Sequence, residues 1–346
     1  MKIKSDITLS LHKKFNDKSS GHLKFKDRVV DALREVFKPS NSERKKTESI
    51  VRAIKVVEKN SPVQATDFFR TPIFRRSHVK DKTKKHTNHV IGITTGTLIS
   101  LAEQAHKDKL IEVPWITNEL KQKDIIGKDG KVSHEVLKEA IIQAATEAAS
   151  HDMGKIAFDV NDVTSFSFDK ANRNLIDKTI KVAREHGKPN VDAAVVAGLK
   201  LPELAGDRLF QESRRLYPEA FTSAYIDEAT KKLISRLHSS KDIVRQVMQL
   251  YRLTDQRILE AATKHHQESH PGENLLLNAL IFGDTAAASF YRTKDSKFSS
   301  ERNPIRRARD FFQGSYGRNK IEPRLLEFLI RPEMLKQALT FSKAVK

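Results

Sequence analysis

The chain of 346 residues contains no cysteine. Disulfides, thiolate catalysis and cysteine-ligated zinc are therefore excluded, and any metal site must use nitrogen and oxygen ligands. Long apolar runs are also missing, since no segment approaches the roughly 18 consecutive apolar residues that a membrane-spanning helix needs. The basic N-terminal segment lacks the apolar stretch and the small-residue cleavage site of a secretory signal. These absences predict a cytoplasmic protein without a membrane partner.

Acidic residues are too few to balance the basic ones. The sequence has 63 Lys and Arg against 44 Asp and Glu, which gives a formal net charge of +19. Such a charge attracts polyanions over a Debye length of about 8 Å at physiological salt. A nucleic acid or a phosphate-rich small molecule is the functional interpretation. A lysine-rich, solvated surface explains the same composition, and composition alone does not separate the two.

Sustained strand alternation is missing as well, while apolar residues recur at helical spacing along most of the chain. The pattern predicts an all-α fold, with helices at the N-terminus, a long helix opening at His89, and a helix leading to His151. Further helices are predicted at about 173–186, 191–199, 202–215, 224–238 and 240–263, and the helical tail is divided by Pro332. A small β-hairpin is expected around Asp129 and Gly130, with Ser133 capping the helix after it.

One motif carries most of the chemistry. Residues 148–155 read "AASHDMGK", so that His151 and Asp152 follow an alanine-rich helix. Neighbouring residues on a helix point about 100° apart, so the two side chains converge on one ion only if the helix ends there. Gly154 permits such a turn. Imidazole and carboxylate together suit Mn, Fe, Co, Ni or Zn rather than Ca.

The stretch "AASHDMGK" resembles the signature of the HD metal-dependent phosphohydrolase superfamily. The resemblance implies an HD-like helical bundle and hydrolysis of phosphate monoesters or diesters, including nucleotides, cyclic dinucleotides and nucleic acids. It also implies an upstream histidine ligand, for which His89 is preferred and His86, one turn earlier on the same helix face, is the alternative. Lys155 would hold the non-bridging phosphate oxygens.

The segment "KHHQESHPGENLLLNALIFGDTAAASFYRT" is similar to the HD-GYP branch of that superfamily. The resemblance implies the ligands His265, His266 and Asp284, with Arg292 as a second phosphate-binding residue. His186 is a less favoured ligand, and Asp207 competes with Asp284 for the last position. The chain departs from the branch at its signature tripeptide, where residues 271–274 read "PGEN", and at Lys85, where some members carry an acidic ligand.

Two domains are predicted, a basic N-terminal helical region at 1–62 and an HD-like phosphohydrolase domain at 63–346.

The predicted function is a metal-dependent phosphodiesterase or phosphohydrolase acting on a nucleotide or cyclic dinucleotide, with one or two divalent ions (Mn, Fe, Ni, Co or Zn). Asp152 and Lys155 are its predicted catalytic residues. One alternative is an HD-type nuclease or conjugative relaxase-like protein, which the basic run from Arg70 to Lys85 favours. Another is a catalytically degenerate HD module that binds or regulates. The predicted metal ligands are His89, His151, Asp152, His265, His266 and Asp284.

Overall fold

A computed structural model describes residues 19–60, 80–107, 112–155, 239, 241–250, 253–266, 269–291, 303–314 and 320–345. Helices dominate this part of the chain, and its β structure is a single antiparallel bridge between Ile126 and Val132. The predicted all-α class is therefore confirmed for these residues. The predicted helices at about 173–186, 191–199, 202–215 and 224–238 lie outside the described residues.

The helices of the described part are numbered here in chain order. They are α1 (Ser19–Val36), α2 (Glu43–Asn60), α3 (Lys80–His106), α4 (Pro114–Gln122), α5 (His134–Ser150), α6 (Lys241–Leu250), α7 (Gln256–Lys264), α8 (Leu275–Tyr291), α9 (Pro304–Gln313), α10 (Pro323–Leu329) and α11 (Pro332–Phe341). The tail is divided before Pro332, as predicted. Two other boundaries differ from the prediction. The long helix begins at Lys80 rather than at His89, and the segment predicted as one helix over 240–263 forms α6 and α7.

Helices α1 and α2 pack against each other through the apolar faces that their periodicity predicts. Val29 and Leu33 of α1 are fully buried, and Ile50 and Ile54 of α2 are nearly so. The connection between the helices is closed by Asn41, whose Nδ2 donates to the main-chain oxygen of Glu35 over 2.7 Å. Burying one apolar stripe from each helix is what stabilises such a pair, because helices of this length are only marginally stable alone.

Helix α3 is buried on all sides along most of its length, from Thr87 to Ala102. It includes a buried acidic group, Glu103, whose Oε1 lies 2.8 Å from the Nζ of Lys46 on α2, and both side chains are only 4% exposed. Lys107 also pairs with Glu103. A charge buried without a partner is costly, so this ion pair fixes the position of α2 against α3.

Helices α8, α9 and α11 complete the same packed region. Helix α8 is apolar around most of its circumference, which is typical of a core helix. The buried Arg307 of α9 satisfies its last carbonyl groups. The Nε atom of Arg307 donates to the main-chain oxygen of Ser289 over 2.7 Å, and its Nη2 atom donates to the main-chain oxygen of Phe290. On α11, Phe341 packs against α3 at Gly92 and Gly96. A side chain at either glycine would clash with Phe341.

The predicted hairpin around Asp129 and Gly130 is reduced to one bridge and a tight turn. The amide of Gly127 donates to the oxygen of Lys131 over 2.8 Å, and Gly130 adopts a φ of 74°, which glycine tolerates best. Ser133 follows the turn, and its Oγ accepts from the amide of Val136 over 3.4 Å at the start of α5.

The chain divides into two compact units. One comprises residues 1–71, 85–149 and 268–346, and the other comprises residues 72–84 and 150–267. We call them unit 1 and unit 2. The predicted domain boundary after residue 62 stays a prediction, as does the HD-like bundle. Among the described residues, no helix combines the length and the apolarity that crossing a bilayer requires.

Candidate metal centre

The His-Asp pair lies directly after α5, which ends at Ser150. His151 and Asp152 form a turn, and a short 3-10 turn, Met153–Lys155, follows them. Both side chains are withdrawn from solvent, with His151 1% exposed and Asp152 6% exposed. The helix therefore ends where the motif requires it to end, and the turn lets two sequence neighbours face the same space.

Unit 2 brings a third ligand-type side chain to this pair. The side chains of His151, Asp152 and His265 are all buried, and each offers one nitrogen or oxygen atom within 4.8 Å of the other two. The Asp152 carboxylate approaches both rings. Its Oδ2 is 3.3 Å from Nε2 of His151, and its Oδ1 is 3.8 Å from Nε2 of His265. We call these three residues the HDH cluster.

The ring of His265 is oriented by the helix that precedes it. His265 is the C-terminal cap of α7, and its Nδ1 lies 3.0 Å from the main-chain oxygen of Ala261. A carbonyl oxygen only accepts hydrogen bonds, so Nδ1 carries a proton in this contact. In the neutral ring, Nε2 then holds the lone pair and faces Asp152. This is the arrangement by which proteins prepare a histidine to bind a metal.

His266 lies beside His265 in the same unit. The two ring centroids are 4.0 Å apart and the planes are tilted by 43°. His265 also contacts His151 edge to face, at 5.0 Å between centroids. The described histidines of unit 2 that were predicted as ligands therefore form one compact group, in which His151 and His265 approach the Asp152 carboxylate.

Unit 1 contains a pair of ligand-type residues of its own. Nε2 of His86 on α3 lies 2.9 Å from Oδ1 of Asp284 on α8, and both side chains are largely buried. The two helices approach closely beside this pair, at Gly283. A Cβ atom there would lie 3.2 Å from the oxygen of Val90 and would clash with the side chain of Thr94. The absence of a side chain at Gly283 is what allows His86 and Asp284 to meet.

His89, the preferred upstream ligand, makes different contacts from His86. Its Nδ1 lies 2.5 Å from the main-chain oxygen of Ser342, and its ring stacks on Tyr291 at 4.0 Å between centroids. The hydroxyl of Tyr291 is in turn 2.8 Å from Oγ of Ser342. Burial lowers the pKa of His89, the Ser342 carbonyl opposes this, and the nearby His86 and Lys85 lower the pKa further. Of the upstream pair, the alternative His86 is the residue that meets a predicted ligand.

The remaining predicted residues are only partly described. The main chain of Lys155 lies in the 3-10 turn that follows Asp152, and its side chain is not among those that the structure describes. His186, Asp207 and Arg292 lie outside the described residues, as does most of the basic run from Arg70 to Lys85. The sequence interpretation did not anticipate the part played by Ser342. The signal was weak, since a serine near a helix end has no pattern that points to a distant histidine.

No protein-family model, no curated protein and no solved structure matches this chain. The resemblance to HD phosphohydrolases therefore depends on the motifs quoted above. What the described residues add independently is the HDH cluster, a buried group of two imidazoles and one carboxylate that can hold a metal ion.

Proposed function

We propose that this chain is a metal-dependent phosphoric ester hydrolase and that the HDH cluster holds its divalent ion. The observation that carries the proposal is the convergence of His151, Asp152 and His265 in a buried space. Two imidazoles and a carboxylate are a donor set for Mn, Fe, Co, Ni or Zn. Three protein ligands also leave coordination positions open, which a catalytic site needs and a closed structural site does not have.

The burial of Asp152 supports a cation in this space. A carboxylate that is 5% exposed loses most of its hydration, and that loss has to be offset by a positive charge or by hydrogen bonds. A divalent ion or a proton on one of the flanking imidazoles can offset it. The orientation of His265 favours the ion. Its Nδ1 donates a hydrogen bond to the main-chain oxygen of Ala261, so the lone pair of Nε2 can bind a metal.

Each residue then has a defined role. His151 and His265 would bind the ion through ring nitrogens, and Asp152 would bind it through one carboxylate oxygen. When bound, the ion supplies Lewis acidity towards a phosphate ester and acidifies a water molecule. Lys155, three residues after Asp152, would bind the phosphate as the resemblance implies. The same resemblance gives the substrate class as a nucleotide or cyclic dinucleotide.

The proposal is tested by metal analysis joined to a hydrolysis assay. Purified protein is stripped with chelator, reloaded with Mn, Fe, Co, Ni or Zn, and assayed for bound metal and for cleavage of a generic phosphodiester, nucleotides and cyclic dinucleotides. His265→Asn is the sharp variant, because an asparagine amide can still donate to Ala261 while the ligand atom is lost. We expect it to lose both metal and activity.

His270→Asn is the matched control, since His270 is exposed and carries no predicted role. We expect it to keep metal and activity at the wild-type level. If wild type binds no metal and cleaves nothing, the proposal fails entirely. If it binds metal in the HDH cluster but cleaves nothing, the hydrolase is excluded and the regulatory HD module becomes the function.

A second candidate is an HD-type nuclease or relaxase-like protein. The observation that favours it is the net charge of +19, because a cyclic dinucleotide does not require a strongly basic protein whereas nucleic acid is attracted by one. Single- and double-stranded DNA and RNA are therefore included as substrates in the same assay. Cleavage of a polymer with no turnover of small nucleotides would replace the first candidate with the second.

A further inference from the structure

The outer face of α2 carries an excess of positive charge. Its exposed basic residues recur at helical spacing and so share one face of the helix. They are Arg44, Lys45, Arg52, Lys55 and Lys59, which we call the α2 stripe. One exposed acidic residue, Glu48, lies among them, and it pairs with Arg44 at 3.0 Å.

From Asp27 onward, where its side chains are described, the neighbouring helix α1 does not share this excess. On this part of α1 and the turn after it, the basic side chains are accompanied by acidic ones. Arg34 pairs with Asp31 at 3.2 Å, and Lys38 pairs with Glu35. Among the described side chains of these two helices, the excess of positive charge therefore lies on α2, although the helices pack together and both face solvent.

The opposite face of α2 is occupied. Ile50, Ala53, Ile54 and Val57 are at most 2% exposed and form the packed side of the helix. Helix α2 thus has no apolar face left to enter a lipid bilayer, which an interfacial helix requires. The packed side also holds the stripe in place before any ligand binds, so binding requires no folding.

We propose that the α2 stripe binds the phosphate backbone of a duplex nucleic acid. At about 1.5 Å rise per residue, Lys45 and Lys59 are about 21 Å apart along the helix. One strand of a duplex places a phosphate about every 3.4 Å of its axis, so this length faces about six phosphates. The stripe has no aromatic side chain on which unstacked bases could rest, which favours a duplex over a single strand. This inference goes beyond the hydrolase and does not depend on it.

The test measures salt-dependent binding of a fluorescent duplex of mixed sequence, in chelator so that no cleavage occurs. The stripe variant is Arg52→Gln, Lys55→Gln and Lys59→Gln combined. The matched control is Arg28→Gln, Arg34→Gln and Lys38→Gln combined, which removes the same charge from the α1 side of the helix pair. Glutamine is a good helix former, and circular dichroism checks that both variants remain folded.

Each phosphate contact contributes about 0.9 to the slope of log K against log salt. The stripe variant should therefore lower the magnitude of the slope by about 2.7, while the control should change it by less than one contact. Three results would overturn the proposal. They are no duplex binding by wild type at low salt, equal slopes for the two variants, and stronger binding of phosphatidylserine vesicles or of single strands than of the duplex.

Discussion

Replacing Gly283 with alanine tests the close approach that brings His86 to Asp284. The added Cβ would clash with the side chain of Thr94, which is fully buried. It would also lie 3.2 Å from the oxygen of Val90 and 3.3 Å from the amide nitrogen of Thr94. These two are main-chain atoms of α3 and cannot rotate away. Helices α3 and α8 therefore have to separate by a few tenths of an ångström or more.

Two effects of opposite sign contribute to the result. Overpacking a well-packed contact costs about 1–3 kcal/mol. Alanine is favoured over glycine within a helix by about 1 kcal/mol. We expect Gly283→Ala to be destabilising by about 0–2 kcal/mol, whereas the same change at an uncrowded position of α8 would be stabilising. Ala288→Gly, in the same helix and partly exposed, measures the intrinsic difference directly.

The assay follows thermal unfolding by the fluorescence of Trp115. It is the single tryptophan of the chain, and it is buried in unit 1, with its Nε1 donating to Glu322 over 3.2 Å. The signal therefore reports on the unit that contains Gly283. Adding Thr94→Ala removes the largest clash, so the double variant should recover stability beyond additivity. If Gly283→Ala raises the midpoint by as much as Ala288→Gly lowers it, the helices do not approach as described.

Three further predictions use the same unfolding signal or metal content. His89→Gln should be more destabilising than His89→Asn, because asparagine keeps a donor near the position of Nδ1, from which His89 reaches Ser342. The lowered pKa of His89 means that its neutral form is the stable one. The wild type should therefore lose stability as pH falls below about 6.5, with His89→Asn losing less between pH 7.5 and 5.5. Glu103→Gln leaves Lys46 buried without its charge partner and should be destabilising by about 3–5 kcal/mol; a drop below 1 kcal/mol, judged from the unfolding midpoint, would contradict the buried pair. The predicted role of Asp284 as a ligand implies that Asp284→Asn lowers the metal content, and an unchanged stoichiometry would restrict the ion to the HDH cluster.

The helices were largely predictable because amphipathic periodicity is a local property of the sequence. The pattern located α1 and α2, and proline marked the start of α11. It missed the interruption between α6 and α7, because apolar residues continue at helical spacing on both sides. The break is made by Asp255, whose carboxylate accepts from the amide of Arg257 over 3.0 Å and caps α7. An aspartate within a periodic run was the available signal.

The candidate site was predictable only in its local part. His151 and Asp152 are adjacent in the sequence, and the alanine-rich helix before them ends as the motif indicates. His265 was predicted as a metal ligand, but the orientation of its ring depends on the main-chain oxygen of Ala261 near the end of α7. The contact between His86 and Asp284 depends on how closely α3 and α8 approach at Gly283. Contacts of this kind join distant segments, and one sequence alone does not show them.

The burial of α3 changes along its length, and this explains why His86 and His89, one turn apart, have different surroundings. From Thr87 the helix is buried through Glu103, and Gly92 and Gly96 let Phe341 of α11 approach closely. His89 lies within this buried length, at 9% exposure. Its ring is held by the main-chain oxygen of Ser342 and by stacking on Tyr291. His86 lies just before it, where α3 emerges from the core and its side chain stays 17% exposed. Of the two histidines, His86 is the more exposed, and it is the one that meets Asp284. We therefore expect His86→Ala to reduce metal content if this pair binds an ion, while His89→Asn should leave it unchanged, and the reverse result would return the upstream ligand to His89.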